Sequence, residues 1–166
     1  MMLPQYNVVQ IKLFPCPSQA ERLELCAETS DALREWLVDN LINGTYQLQE
    51  ADYKKILLNQ VQKDWYSIEE FKLPGILVRC ILLEIGQHWM ISDQDADYMQ
   101  MILDKYKGRV IVPFKAHQVQ HGGVSIFING LGRVRAEKIS EPIIYRVECY
   151  RSGDDWLAEV RTGSKH

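Results

Sequence analysis

One short strand stands apart from all the others in this sequence, and it restricts the folds open to the chain. From Tyr6 to Phe14 apolar residues alternate with Gln10 and Lys12, a pattern typical of a half-buried strand. The next segments with strand periodicity come only after Gly108. A single strand would expose two unpaired edges, so we expect it to pair with the C-terminal strands in one sheet.

Helical periodicity fills the interval. Ser18-Gln19-Ala20-Glu21 is a capping-box sequence, and apolar residues then recur at spacings of three and four as far as Asn43-Gly44. Further helices are predicted over about residues 50–63, over 73–89, where apolar residues cover most of the circumference, and through Tyr98 to Tyr106. The sequence therefore predicts four helices between the first strand and the rest.

The C-terminal part has strand periodicity. Five strands are predicted over residues 109–114, 124–128, 131–136, 143–150 and 156–161, with tight turns at Asn129-Gly130 and Ser152-Gly153-Asp154. His117 and His121 flank what we expect to be a polar loop. The predicted fold is α+β: a small, OB-like antiparallel β-barrel from residues 1–15 and 107–166, with a four-helix lobe inserted over residues 16–106.

The charge distribution is uneven. The 166 residues carry a net charge of −3, which by itself argues against nucleic-acid binding. Residues 1–106 contain 9 Lys and Arg against 16 Asp and Glu, a net −7, whereas residues 107–166 contain 10 against 6, a net +4. This asymmetry suggests two surfaces with different partners, the alternative being acidic helices that lie beside a mixed sheet by chance.

Motifs for catalysis and metal binding are absent from the sequence. It contains no nucleophile elbow, no phosphate-binding loop and no zinc-ligand spacing. The four cysteines are irregularly spaced, which favours a reducing cytoplasm without disulfides or a structural metal. The acidic run from Asp93 to Asp97 lacks the glycine and glutamate of a calcium loop and favours helix capping. We expect a cytoplasmic protein that is not an enzyme, has no cofactor and does not enter a membrane.

Basic side chains are the more informative feature. Arg133 and Arg135 are two positions apart in a predicted strand, hence on one face, where guanidinium groups can bind phosphates. Arg146 could extend that surface. The remaining basic residues and histidines of this region are Lys107, Arg109, Lys115, His117, His121 and Lys138. The alternative is an ordinary solvated strand face.

Several short motifs resemble the TnpB (OrfB) transposon-associated proteins. The motifs are Ile11-Lys12-Leu13-Phe14-Pro15 with Ser18-Gln19, then Leu73-Pro74, Val112-Pro113-Phe114-Lys115 and Leu131-Gly132-Arg133-Val134. The resemblance extends over about residues 6–160. It implies a wedge domain with an inserted recognition lobe, as in RNA-guided nucleases and type V CRISPR effectors, which grip guide RNA and hold a guide–target duplex mainly through backbone and shape.

The resemblance also implies two residues of the helical lobe, Tyr46 and Lys72, at positions near flanking DNA. With Lys12 they complete the predicted nucleic-acid-binding set: Lys12, Tyr46, Lys72, Lys107, Arg109, Lys115, His117, His121, Arg133, Arg135, Lys138 and Arg146. The sequence holds no counterpart of the family's RuvC carboxylate triad or zinc ribbon, so we expect no nuclease activity.

Three functions are therefore open. The first is a non-catalytic module that binds guide-type RNA, possibly with DNA, as a regulator or as the accessory half of a split effector with a nuclease-bearing partner. The second is an inhibitor or adaptor whose acidic helical lobe docks on a basic partner protein. The third is a transposon remnant without a selected role.

Overall fold

The computed structural model describes residues 6–140 and 143–163. Seven strands are assigned over these residues. The prediction of four helices is confirmed, because residues 53–68 form one continuous helix whose two α-helical segments, labelled separately below, are joined by a π-helical turn, Leu57–Val61. The strands are β1 (Tyr6–Phe14), β2 (Val110–Pro113), β3 (His117–Gln120), β4 (Ser125–Ile128), β5 (Gly132–Ala136), β6 (Ile143–Ser152) and β7 (Asp155–Gly163). The helices are α1 (Pro17–Ile42), α2 (Tyr53–Ile56), α3 (Gln62–Ile68), α4 (Gly75–Ile91) and α5 (Ala96–Tyr106). The outer bounds predicted for the barrel, residues 1 and 166, lie outside the described residues.

All strands belong to one antiparallel sheet in the order β2-β6-β7-β1-β5-β4-β3. The predicted union of the N-terminal strand with the C-terminal strands is confirmed, because β1 pairs with β7 on one side and with β5 on the other. Ser152 pairs with Asp155 across a tight turn, as predicted. The fold class is therefore α+β with an antiparallel sheet.

The prediction of a barrel is wrong as far as closure is concerned. Among the described residues β2 and β3 lie at opposite ends of the strand order and do not pair with each other. Both edge strands have only four residues, so neither supplies the long ladder that closes a sheet on itself.

The predicted polar loop after His117 is also wrong, because residues 117–120 form strand β3. His117 pairs with Ile128 and Gln120 with Ser125. The segment His-Gln-Val-Gln has no apolar alternation because it is an edge strand, and half-exposed edge positions accept polar side chains. Periodicity could not distinguish such a strand from a loop.

The contacts divide the chain into two compact units. The sheet unit comprises the residues up to Ala27 and those from Arg109 onwards, and the helical unit is Glu28–Gly108. The start of α1, predicted to belong to the helical lobe, thus belongs with the sheet. Leu23 and Cys26 on this part of α1 are buried, and the continuous helical periodicity gave no sign of the change from one unit to the other.

Inward-facing side chains build the core of the sheet unit. Val134 on β5, Ile126 and Ile128 on β4, and Val147 and Ala158 on β6 and β7 are completely buried. Each alternates with outward-facing neighbours, as a sheet with one covered face requires. Burial of one face of the sheet fixes the register of the strands, and that register determines which residues face outward.

The helical unit has its own apolar core, formed largely by α4 together with α1 and the π-helical turn. Leu57 in that turn packs so closely on Gly86 that a side chain at Gly86 would overlap it. Trp36 contacts both Tyr46 and Trp65, with ring centroids 5.8 and 5.4 Å apart. No helix within residues 6–140 and 143–163 is long and apolar enough to cross a membrane.

The helix caps differ from the predicted ones in detail. The side chain of Gln19 accepts the backbone N–H of Cys16 at 3.0 Å, so the cap of α1 lies two residues before the predicted Ser18 box. Within the acidic run Asp95 caps α5, accepting from the N–H groups of Asp97 and Tyr98. The preference of that run for capping is therefore confirmed.

Adjacent glycines between β3 and β4 offer a matched test of this fold. Both Gly122 and Gly123 have positive φ, 68° and 96°, but only a Cβ at Gly123 would overlap the backbone of Ile139. We expect Gly122→Ala to lower the free energy of unfolding by about 1 kcal/mol and Gly123→Ala by at least about 2 kcal/mol more, because the backbone must shift. Urea denaturation of both variants measures the difference, and equal losses would contradict the described packing.

Candidate nucleic-acid interface

Arginine and phenylalanine side chains alternate on the outward face of the central strands. Phe14 on β1 lies directly opposite Arg135 on β5, and Phe127 on β4 lies directly opposite Arg133. Residues that face each other across an antiparallel pair project from the same side of the sheet. We call Phe14, Phe127, Arg133 and Arg135 the Arg–Phe platform.

The platform is open to solvent. Both phenylalanines are 44% exposed, and both arginines are exposed. Ile126 and Ile128, the neighbours of Phe127 in sequence, point to the covered face. Because successive residues of a strand point to opposite faces, Phe127 points outward. Exposed apolar patches rimmed by polar side chains are typical of interaction sites, so we take the platform as the candidate interface.

The platform arginines are little engaged within the protein. Arg133 Nε donates to Gln120 Oε1 at 3.3 Å, and the Arg135 side chain has no hydrogen bond or ion pair among the described residues. Lys12, two residues before Phe14, places Nζ 5.7 Å from the centre of the Phe14 ring and 3.4 Å from Asp155. Two guanidinium groups thus remain available for anionic ligands.

The opposite half of the same face is occupied by a buried carboxylate. Glu148 on β6 is only 6% exposed. Its carboxylate oxygens lie 3.5 Å from Arg109, 3.4 Å from Arg146 and 3.8 Å from Arg161. Arg109 and Arg146, both predicted to bind nucleic acid, therefore neutralise a buried acid of the protein itself.

Arg109 also contacts two carboxylates that repel each other. Glu148 and Glu159 lie directly opposite each other on β6 and β7, an arrangement of like charges that destabilises a sheet. Arg109 contacts both, reaching Glu159 at 3.1 Å, and its guanidinium carbon lies 4.4 Å from the centre of the Tyr150 ring. Its role is structural in this arrangement.

The predicted residues around β3 have different environments. Lys115 is exposed, and His121 is exposed with Nδ1 3.0 Å from the hydroxyl oxygen of Ser125. His117 lies on β3 with its ring edge-to-face against Phe114, the ring centres 6.2 Å apart. Burial lowers the pKa of His117, and neither ring nitrogen has a hydrogen-bond partner among the described residues.

The remaining predicted residues do not join the platform. Lys138, which follows β5, is exposed, and Lys107 is exposed at the end of α5 in the helical unit. Tyr46 is buried, and its hydroxyl donates to Asp64 at 2.6 Å; burial and that carboxylate raise its pKa. Lys72 Nζ donates to the backbone carbonyls of Tyr66 and Glu69 at the end of α3. Tyr46 and Lys72 therefore have structural roles in the helical unit.

The comparisons with known proteins assign no family or function, so any functional assignment depends on the geometry of the site. No protein-family model matches this chain, and no curated protein matches it. The resemblance to the TnpB proteins consequently rests on the short motifs alone. Sequence reasoning found both platform arginines but missed both phenylalanines, although the alternation around Phe127 was a usable signal.

The buried carboxylate gives a prediction about stability. We expect Glu148→Ala to lower the free energy of unfolding by about 3–5 kcal/mol, because the variant removes a buried carboxylate that lies against three arginines. Glu159→Ala is the matched control, since its side chain is 33% exposed, and should cost no more than about 1 kcal/mol. Guanidinium denaturation measures both, and similar small losses would show that Glu148 is not an essential partner.

Proposed function

We propose that this protein is a non-catalytic RNA-binding module of TnpB-like type that holds single-stranded segments of guide-type RNA on the Arg–Phe platform. The observation that carries the proposal is the direct pairing of Phe14 with Arg135 and of Phe127 with Arg133 on an exposed sheet face. Such a surface combines the two interactions by which proteins bind unpaired nucleotides, phosphate neutralisation and base stacking.

The chemistry of the platform favours single strands over duplexes. Guanidinium groups bind phosphate oxygens with paired donors, and the flat phenylalanine rings stack on bases that are not occupied by a complementary strand. In a duplex the base faces are covered, so the two rings would remain exposed to water. A guide RNA with unpaired segments fits this surface better than the guide–target duplex.

Charge supports the same unit as the RNA-binding part. The sheet unit carries 11 Lys and Arg against 8 Asp and Glu, a net +3, whereas Glu28–Gly108 carries 8 against 14, a net −6. Two of the sheet unit's acids, Glu148 and Glu159, are themselves paired with arginines. An approaching RNA is therefore attracted to the sheet unit and repelled by the helical unit.

The biological role that follows is accessory. A module that grips guide RNA without a nuclease of its own serves as the RNA-holding half of a split effector or as a regulator that competes for the guide. We place this role in the cytoplasm, where the four free cysteines would remain reduced. In this proposal the open sheet acts as the wedge.

Charge reversal tests the platform directly. We expect Arg133→Glu combined with Arg135→Glu to weaken binding of single-stranded RNA and to reduce the salt slope of the binding constant by about 1.4, since two phosphate contacts are lost. The matched control is Lys55→Glu with Lys63→Glu, the same charge change at two exposed positions of the helical unit. Fluorescence anisotropy at several salt concentrations measures both variants.

Two outcomes would refute the assignment. Equal weakening by the two double variants would indicate non-specific attraction, and no salt-sensitive RNA binding by the unaltered protein would remove the proposed function altogether. Thermal unfolding of each variant checks that the sheet remains folded, which the exposure of all four positions leads us to expect.

The aromatic half of the platform gives a separate prediction. Phe14→Ala and Phe127→Ala should each weaken RNA binding by about 1–3 kcal/mol, the usual loss for one stacked base, while leaving the salt slope unchanged. Val8→Ala is the control, because Val8 is an exposed apolar residue of β1 that faces the same way. A fall in the salt slope for the phenylalanine variants would show that the rings do not act by stacking.

The net −6 of the helical unit supports the second candidate, an adaptor that docks on a basic protein. This candidate predicts that the Arg133 and Arg135 reversal leaves partner capture intact, whereas reversal of exposed acids in the helical unit abolishes it. Co-purification from cells followed by nuclease treatment distinguishes the two, because an RNA-dependent complex dissociates and a direct protein complex does not.

A further inference from the structure

A cleft lies beside the platform at the edge of the sheet. It has a volume of about 760 Å³ and is bounded by the 3-10 turn Phe114–Ala116, by β3 and β4, and by Ile139 and Ser140 after β5. Clefts of about 300–1,000 Å³ are typical of small-molecule sites, so this one has room for a nucleobase with its sugar. Gly123 also lines it, at the point where a side chain would strike Ile139.

The walls of the cleft are aromatic. Phe114 is 58% exposed and Phe127 is 44% exposed, and both line the cavity. Phe127 is at the same time a member of the Arg–Phe platform, directly opposite Arg133. The platform and the cleft therefore share the Phe127 side chain.

The polar groups of the cleft fit a base edge better than a phosphate. Both ring nitrogens of His117 are buried and lack a hydrogen-bond partner, and the side-chain amides of Gln118 and Asn129 have no hydrogen bond among the described residues. Burial lowers the pKa of His117, which favours the neutral ring with one donor and one acceptor. Among the described residues that line the cleft, Lys115 is the one with a cationic side chain.

We infer that this cleft receives one unstacked nucleobase of the bound single-stranded RNA, with its ring against Phe114 and its hydrogen-bonding edge toward His117 and Asn129. The inference rests on the proposed function of the platform. An unpaired buried imidazole costs free energy in the unliganded protein, and a base edge supplies the missing donor and acceptor. The Phe114 ring is exposed and lies edge-to-face on the imidazole, so a base stacked on that ring lies next to His117.

An abasic scan of the RNA tests the inference. We use a single-stranded RNA of about ten nucleotides, within the usual site size, and replace each nucleotide in turn with an abasic one. For the unaltered protein one position should stand out, with binding weakened about fivefold or more. In His117→Leu the same abasic RNA should bind as well as the intact RNA, because the base no longer gains its hydrogen bonds.

Two further variants complete the design. Phe114→Ala should reduce the sensitivity at that position as His117→Leu does, whereas Val124→Ala, at an exposed apolar residue that does not line the cleft, should leave it unchanged. His117→Leu removes an unpartnered buried polar group, so we expect it to fold at least as stably as the unaltered protein, which thermal unfolding verifies.

The outcomes separate this inference from the proposed function. If the Arg133 and Arg135 reversal weakens RNA binding but the abasic scan is flat, or His117→Leu leaves the sensitive position sensitive, the platform stands and the cleft does not hold a base. If the unaltered protein binds no RNA in a salt-dependent manner, both proposals fail together. A sensitive position that disappears in His117→Leu and persists in Val124→Ala establishes the cleft as a base site.

Discussion

The pairing of β1 on both its edges is the constraint on which the sheet unit depends. Without β1, the strands β2, β6 and β7 would lie on one side and β5, β4 and β3 on the other, with no ladder between them. The N-terminal strand therefore joins two groups of strands, and both of its partner strands lie more than a hundred residues further along the chain. It also brings Phe14 opposite Arg135, so the element that completes the sheet completes the platform.

The outward face of this sheet has two regions that differ in how their charges are paired. On the side of β6 and β7 the carboxylates of Glu148 and Glu159 face the arginines, and the charges are satisfied within the protein. On the side of β4 and β5 no acidic side chain of the described residues forms an ion pair with Arg133 or Arg135. Counting basic residues along the chain cannot separate these two groups, because pairing depends on which strands are neighbours.

This dependence on neighbours explains how far the sequence could be interpreted. Alternation located β1 over the same residues as the structure, and the Ser152-Gly153-Asp154 turn was correct because turn chemistry is local. The edge strand β3 was missed because polar edge positions carry no periodic signal. Tyr46 and Lys72 were assigned from resemblance, and their contacts with Asp64 and with backbone carbonyls were beyond any one-dimensional pattern.

The exposed phenylalanines also bear on whether the chain is a remnant without function. A sheet face without a partner gains nothing from two half-exposed rings, since polar residues at those positions would leave the covered core unchanged and reduce the risk of aggregation. The rings lie instead at alternate positions with two arginines that no acidic side chain within residues 6–140 and 143–163 pairs with. Stability alone does not require exposed rings beside exposed arginines. Binding of an unpaired polynucleotide uses both, because bases stack on the rings and phosphates bind the guanidinium groups.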